Sequence, residues 1–351
     1  MYVRNCWYVI AWDYELDARS AIARTILSEP IVLYRTSTGV PVAMEDRCCH
    51  RFAPLSKGRV EGDAIRCMYH GLKFNSEGVC VEIPGQTAIP RVARVKSYTV
   101  KESHSWIWIW MGDPAIADES LIPTTVGLAD PKWTFRSGQM DYQAYYQLLN
   151  DNLTDFTHLS YVHASSFGAP ADFALTRPNM ERLDRGLRFW RWIDNPSRPP
   201  LDPKAPAPSD EVDSWQSYDY LVPGILIMYS AVFAKGTADR LQRRHPDASA
   251  VPLTERFTSQ AVTPTTDRTT RYFFSTGTRA GEDSETQVDR MLAIANMAFE
   301  EDKQMIEAQQ RIIDRDPGRK EMLIAADVGP AQMRTVIERL VAAEKPAVGD
   351  R

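Results

Sequence analysis

Two short stretches concentrate side chains that bind metals. Cys48-Cys49-His50 and Cys67-Met68-Tyr69-His70 form a Cys-x-His pair and a Cys-x-x-His pair with sixteen residues between them. Each follows a strand-like run, so each is expected on a loop. Two thiolates and two imidazoles in this order fit a [2Fe–2S] centre in which histidines replace cysteines on one iron. The same four side chains can also form a structural zinc site. Gly71 favours the cluster, because a residue without a Cβ lets the backbone approach closely and aim amide donors at the sulfurs.

A third stretch, Asn150 to His163, reads Asn-Asp-Asn-Leu-Thr-Asp-Phe-Thr-His-Leu-Ser-Tyr-Val-His. Two histidines separated by four residues are weak evidence alone. Here Asn152, Asp155 and His158 recur every third residue on an otherwise aromatic helix, a polar strip that is costly to bury without partners. Two imidazoles and one carboxylate hold non-haem Fe(II) while leaving positions open for oxygen, so an acid should arrive from elsewhere in the chain. The segment from about Glu285 to Asp314 offers one. Its apolar stripe runs Ile294/Ala295, Ala298/Phe299, Met305/Ile306, and Asp302 continues it, whereas Glu300, Glu301 and Lys303 fall off the stripe and read as solvated. A buried cap or salt bridge is the bland reading of Asp302.

The elements that must position these residues follow from periodicity. Short β-rich runs at 31–34, 40–44, 64–67 and 105–110 suggest a small all-β domain, with Trp106-Ile-Trp-Ile-Trp-Met111 as a buried strand. A connection through Gly112-Asp-Pro114 leads into a second region, which sets expected domains of 1–114 and 115–351. The second opens with a helix over about Asp141 to Leu159, where Tyr142, Tyr145, Tyr146, Leu149, Leu153 and Phe156 recur at helical spacing. Strand-like runs follow at 186–193, 215–229, 254–263 and 269–276, then helices over about 285–314 and 330–344. Asp194–Asp213 carries six prolines and reads as a surface loop that could border a pocket.

Composition narrows the rest. The 351 residues are 44% hydrophobic and 25% charged, a globular balance, with a net charge of −5 and no basic run that would mark nucleic-acid binding. No apolar run reaches the ~18–20 residues needed to span a bilayer. Five cysteines without a secretory signal argue against a disulfide framework and for a cytoplasmic chain.

The loops Cys48-x-His50-Arg-x-Ala-Pro-Leu-Ser56 and Cys67-x-Tyr-His70-Gly-Leu-x-Phe74, followed by Asn152-Leu-x-Asp155-x-x-His158-x-x-x-x-His163, resemble the oxygenase component of the Rieske non-haem iron oxygenases. Three further segments look like the branch that contains vanillate and dicamba O-demethylases: Asn5-Cys-Trp-Tyr-Val9, Tyr161-Val-His-Ala-Ser-Ser-x-Gly168 and Asp327-x-Gly-x-x-x-x-Arg334-x-Val-Ile-x-Arg339. The resemblance implies an α+β chain: an N-terminal all-β Rieske domain and a helix-grip domain, an antiparallel sheet curved around a long helix. It implies Cys48, His50, Cys67 and His70 as cluster ligands and His158, His163 and Asp302 as Fe(II) ligands. It implies a head-to-tail homotrimer in which Asp155 links His158 to His70 of a neighbouring subunit; the bland reading of Asp155 is a local cap. Electrons would come from NAD(P)H through a separate flavin and iron–sulfur reductase.

The implied reaction uses O2 on a small aromatic substrate. O-demethylation of a methoxybenzoate with release of formaldehyde comes first, and ring or methyl hydroxylation is the alternative. An electron carrier without oxygenase activity would leave His158, His163 and Asp302 without purpose. Asn152 is expected beside the iron without ligating it, and Gln260 is the position implied for a polar substrate contact. Where the family usually carries proline, this chain has Cys49 and Met68.

Overall fold

The computed structural model describes residues 1–17, 20–125, 130–164, 166, 177–194 and 212–344. Two compact units divide the chain at 129/130, with the short segment Thr263–Asp267 belonging to the first. The connection after Pro114 therefore goes with the first unit.

The first unit is built from short strands, as its spacing of turn residues predicts. They are β1 (Trp7–Trp12), β2 (Ile22–Ile26), β3 (Glu29–Arg35), β4 (Pro41–Glu45), β5 (Arg59–Glu61), β6 (Ala64–Arg66), β7 (Lys73–Phe74), β8 (Cys80–Glu82), β9 (Ser97–Tyr98), β10 (Val100–Ser103) and β11 (Trp106–Trp110). Three sheets result, in the orders β1-β11-β10, β2-β3-β4-β9 and β5-β6-β7-β8. The tryptophan run of β11 is buried on both faces and pairs with β1, which is equally buried. Val32, Tyr34, Met44, Leu55, Ile65 and Phe74 pack together with Cys48 and Cys67 in a separate core.

The second unit is one seven-stranded sheet and the helices that cover it. Its strands are β12 (Trp133–Tyr142), β13 (Asn179–Leu183), β14 (Gly186–Asp194), β15 (Val212–Leu221), β16 (Ile225–Ala234), β17 (Thr254–Pro264) and β18 (Thr270–Arg279), in the order β12-β18-β17-β16-β15-β14-β13. The long helix Ser284–Ile313 packs on β12 and β18. The α+β class and the helix-grip arrangement are as expected. Most of the loop 194–213 lies outside the described residues.

Three local expectations are corrected. The run 215–229, read as one strand, is a hairpin, because Val222-Pro223-Gly224 turns the chain between β15 and β16. The helix expected over 141–159 is shorter and broken: β12 holds the chain to Tyr142, a helix spans Tyr146–Thr154, and Asp155 is extended (φ −132°, ψ 104°). A single turn Phe156–His158 and a short helix Leu159–Val162 follow. The break has a chemical cause. Thr154 Oγ1 donates back to Asn150 O at 2.8 Å, and the Asp155 carboxylate caps the next turn by accepting from Thr157 N at 2.8 Å.

The third correction concerns the long helix. Its buried line is Ala298, Asp302, Ile306 and Gln310, at intervals of four, and Met305 is 57% exposed. The same helix holds the segment leading into Tyr146–Thr154: Gln310 Oε1 accepts from Tyr145 N and Glu307 Oε1 from Gln143 N, both at 2.8 Å. The helix Val328–Glu344 approaches from the other side, where a Cβ on Gly329 would lie 2.6 Å from Thr154 O. Among the described residues no helix is long and apolar enough to cross a membrane.

Candidate metal centres

In the first unit, the two Cys/His loops close in the same way. Cys48 N donates to Ala53 O and Phe52 N to Cys48 O, each at 2.9 Å; Cys67 N donates to Leu72 O at 2.8 Å and Gly71 N to Cys67 O at 2.9 Å. Both loops thus bond from the cysteine to residues four and five positions on. Phe52 (φ 58°) and Gly71 (φ 78°) occupy the left-handed region at the equivalent position. A Cβ on Gly71 would also meet Pro84 at 2.7 Å.

These loops bury Cys48 and Cys67 and leave the imidazoles of His50 and His70 outermost, their ring centroids 4.5 Å apart. Burial, followed by the neighbouring Cys67, pushes the Cys48 thiol up to about 12. A buried sulfur of this kind favours its anionic form only beside a strong cation, which is what an iron cluster would supply. Arg66, just before Cys67, donates to Gly71 O at 2.8 Å and pairs with Glu61 and Glu82, clamping the second loop. Cys49 is half-buried, and none of the five cysteines is in a disulfide.

In the second unit, His158, His163 and Asp302 each offer a ligand atom, all within 4.8 Å of one another. Asp302 Oδ1 lies 3.6 Å from His158 Nε2 and 3.4 Å from His163 Nε2. Each imidazole commits its other nitrogen elsewhere. His158 Nδ1 donates to Asp155 O at 2.7 Å, and His163 Nδ1 donates to Glu301 Oε2 at 2.9 Å. Both Nε2 atoms are therefore left facing the carboxylate, the ring nitrogens that a metal would take in the neutral imidazoles. Asn152 Nδ2 donates to Asp302 Oδ1 at 3.1 Å and sits 3.3 Å from His158 Nε2.

Electrostatics separate the two imidazoles. Burial lowers the pKa of His158, with Asp302 only partly opposing it. Burial also works against charge on His163, but Asp302 and Glu301 outweigh it and its pKa rises. Two neutral-capable imidazoles and a buried carboxylate around one point fit a facial 2-His-1-carboxylate iron site.

The Asp155 side chain, expected to reach outward, is engaged locally: Oδ1 accepts from Thr157 N and Oδ2 from Thr157 Oγ1 at 3.0 Å. Glu301, read from the sequence as solvated, is instead a partner of His163 and accepts a second bond from Ser166 Oγ at 2.7 Å. The helical stripe gave no signal for it, because a long side chain can reach round to a face its Cα does not occupy.

The sheet face that covers this centre is fixed by register. Leu187, Tyr220, Leu226 and Gln260 lie directly opposite one another across β14 to β17, and Tyr220 OH donates to Asn150 Oδ1 at 2.7 Å on the helix that carries Asn152. Gln260 is 6% exposed, and its Oε1 has no partner among the described residues. Four residues along β14 from Leu187, on the same face, Arg191 is 5% exposed and donates from Nε and Nη2 to Gln216 Oε1 at 3.0 and 2.8 Å. Burial pulls its guanidinium down to about 10, still charged at neutral pH. Tyr218 packs 4.7 Å from Phe156, two residues before His158, and 4.7 Å from Phe189, and so spans the space between Arg191 and the iron-site turn.

Comparison with known proteins agrees with both halves. Residues 6–99 match the Rieske [2Fe–2S] domain, and residues 142–343 match the vanillate O-demethylase oxygenase C-terminal domain. The chain is 42% identical to the toluene-4-sulfonate monooxygenase system iron-sulfur subunit of Comamonas testosteroni over 98% of both chains. It is 33% identical to a vanillate O-demethylase oxygenase subunit of Pseudomonas, over 99% of this chain and 97% of that one. The crystal structure of dicamba monooxygenase bound to dicamba superimposes with a TM-score of 0.84 at 32% identity, covering 98% of each chain.

Proposed function

The chain belongs to the Rieske non-haem iron oxygenases with a vanillate O-demethylase type catalytic half, and on that footing we propose which residues and which substrate its chemistry uses. It is an O2-dependent oxygenase component whose cofactors are a Rieske [2Fe–2S] cluster and a mononuclear iron. In this proposal Cys48, His50, Cys67 and His70 hold the cluster, and His158, His163 and Asp302 hold the iron. The observation that carries it is the convergence of two Nε2 atoms on one buried carboxylate. When bound, the two groups supply electron storage and dioxygen activation, which no side chain provides.

The chain's own residues do the positioning. Asn152 holds Asp302 Oδ1, so the carboxylate cannot swing away from the imidazoles. Asp155 fixes His158 through its main-chain oxygen, which leaves its carboxylate to link to His70 of a neighbouring copy in a head-to-tail trimer. Each Asp155 oxygen accepts one bond from Thr157 and retains a lone pair for another. Electrons arrive from NAD(P)H through a separate flavin and iron–sulfur reductase, and Cys6, Cys49 and Cys80, which join no disulfide, suit a cytoplasmic setting.

The substrate in this proposal is a small aromatic acid oxidised at an exocyclic carbon, first a methoxybenzoate. Adding one oxygen atom to the methyl C–H gives a hemiacetal that collapses to a phenol and formaldehyde, the second oxygen leaving as water with two electrons and two protons supplied. The greater identity to the toluene-4-sulfonate relative supports a second reading, oxidation of a ring methyl on an aryl sulfonate. Both substrates carry an anion, and Arg191 supports either by offering a planar, buried guanidinium that matches a carboxylate or sulfonate. Gln260 is the polar contact proposed for a ring substituent; its amide can present either a donor or an acceptor.

Oxygen consumption and formaldehyde measured with a generic reductase against methoxybenzoates, methylbenzoates and toluene-4-sulfonate separate the readings. One formaldehyde per O2 with a methoxybenzoate supports demethylation. Coupled uptake with the sulfonate and no formaldehyde from any methoxybenzoate supports the second reading.

A further inference from the structure

Consecutive residues of the long helix grip opposite edges of one imidazole. Asp302 Oδ1 faces His163 Nε2 at 3.4 Å, and Glu301 Oε2 accepts from His163 Nδ1 at 2.9 Å. His163 is 1% exposed, so its ring is held within the packed interior beside these two acids. The same Glu301 oxygen accepts from Ser166 Oγ at 2.7 Å, which ties the chain just after His163 to the helix. His158 is held differently: its Nδ1 donates to a neutral main-chain carbonyl, Asp155 O, at 2.7 Å.

A carboxylate accepting from Nδ1–H pushes electron density toward Nε2 and fixes the ring's tautomer and tilt, and a charge-assisted bond does so more strongly than one to a carbonyl. We infer that Glu301 is a positioning residue that makes His163 the tighter of the two histidine ligands and retains iron in the site. This inference rests on reading His163 as an iron ligand. It gives the two histidines different work: His163 anchors the metal, while His158 stays the more polarisable ligand, tied through Asp155 to the route by which electrons arrive.

The test compares Glu301→Ala, Glu301→Gln and His163→Ala in the full-length protein. Iron retention is measured by titration with a ferrous chelator, alongside the cluster absorption spectrum and the electron paramagnetic signal of the ferrous site treated with nitric oxide. Glutamine preserves shape and can still accept from Nδ1, so it removes only the charge. The expected result is weaker iron binding by roughly 10–100-fold for Glu301→Ala and a smaller loss for Glu301→Gln, with an altered nitrosyl signal and an unchanged cluster spectrum. Wild-type retention in both Glu301 variants, with iron lost from His163→Ala, overturns the inference and leaves the iron site standing. Loss in Glu301→Ala with wild-type behaviour of Glu301→Gln assigns Glu301 to packing and also overturns it. Retention in His163→Ala overturns the reading of the site itself.

Discussion

The two metal centres differ in how far the chain must travel to build them. The cluster loops are closed by bonds spanning four and five residues, and both lie within 48–72. The candidate iron site joins His163 to Glu301 across 138 residues and Asn152 to Asp302 across 150. The first is a local construction that needs only a small β scaffold; the second exists only once the sheet and the long helix have packed. A site of the first kind carries its own geometry, whereas one of the second kind inherits geometry from the core.

Separate loss of the two metals tests that contrast most strongly. His163→Ala is expected to empty the iron site and abolish turnover while iron analysis and the visible spectrum show the cluster intact; Cys67→Ala should do the reverse. Loss of both metals from either variant would mean the centres do not form independently. Asp155→Asn should keep both metals and lower turnover by about 10–100-fold or more, because it alters the proposed link and leaves the main-chain bond to His158 in place. Single-turnover electron transfer at the wild-type rate would contradict this.

Arg191→Gln is expected to raise KM for an anionic aromatic substrate by roughly 10–100-fold, the worth of a charge-assisted hydrogen bond of about 1.5–3 kcal/mol. The rise should shrink for the corresponding methyl ester, and equal effects on acid and ester would remove Arg191 from substrate binding. The corrected helix line predicts a contrast in stability: Ile306→Ala should cost about 2–5 kcal/mol and Met305→Gln within about 0.5 kcal/mol by urea denaturation.

The smallest effect concerns the loop clamp. Hydrogen bonds from Arg66, then Arg59, hold Glu61 at about 2 instead of the ordinary 4.5. A depressed acid stabilises the fold above its ordinary range and loses that contribution as pH falls through about 2. Arg66→Gln should therefore bleach the cluster at a higher pH than wild type in an acid titration; superimposable curves would exclude the clamp.

The difference in locality also explains what could be read from the residues alone. Both Cys/His loops were legible because the proposed ligands, turn and closing bonds share one short stretch. Asp302 was legible because an acid continuing an apolar stripe is conspicuous. Glu301 was not, since its function depends on side-chain reach across elements, and Arg191 was not, since its burial depends on strand register. The helix around Asn152 was read too long because aromatic spacing signals helix, while capping by Asp155 and back-bonding by Thr154 outweigh it locally. Sequence spacing likewise hid the hairpin at Pro223, where a continuous β-rich run concealed a turn.

The matched closure of the two cluster loops bears on how the cofactor is installed. Their closing bonds join main-chain groups and use none of the four proposed ligand atoms, so the bonds that shape the receptacle do not compete with its contents. Delivery of a preformed cluster then resembles docking to a rigid socket more than folding around a guest. A protein stripped of its cluster by mild reduction and chelation should accept a new one without passing through denaturant, which is a matter of maintenance in the cell as much as of architecture.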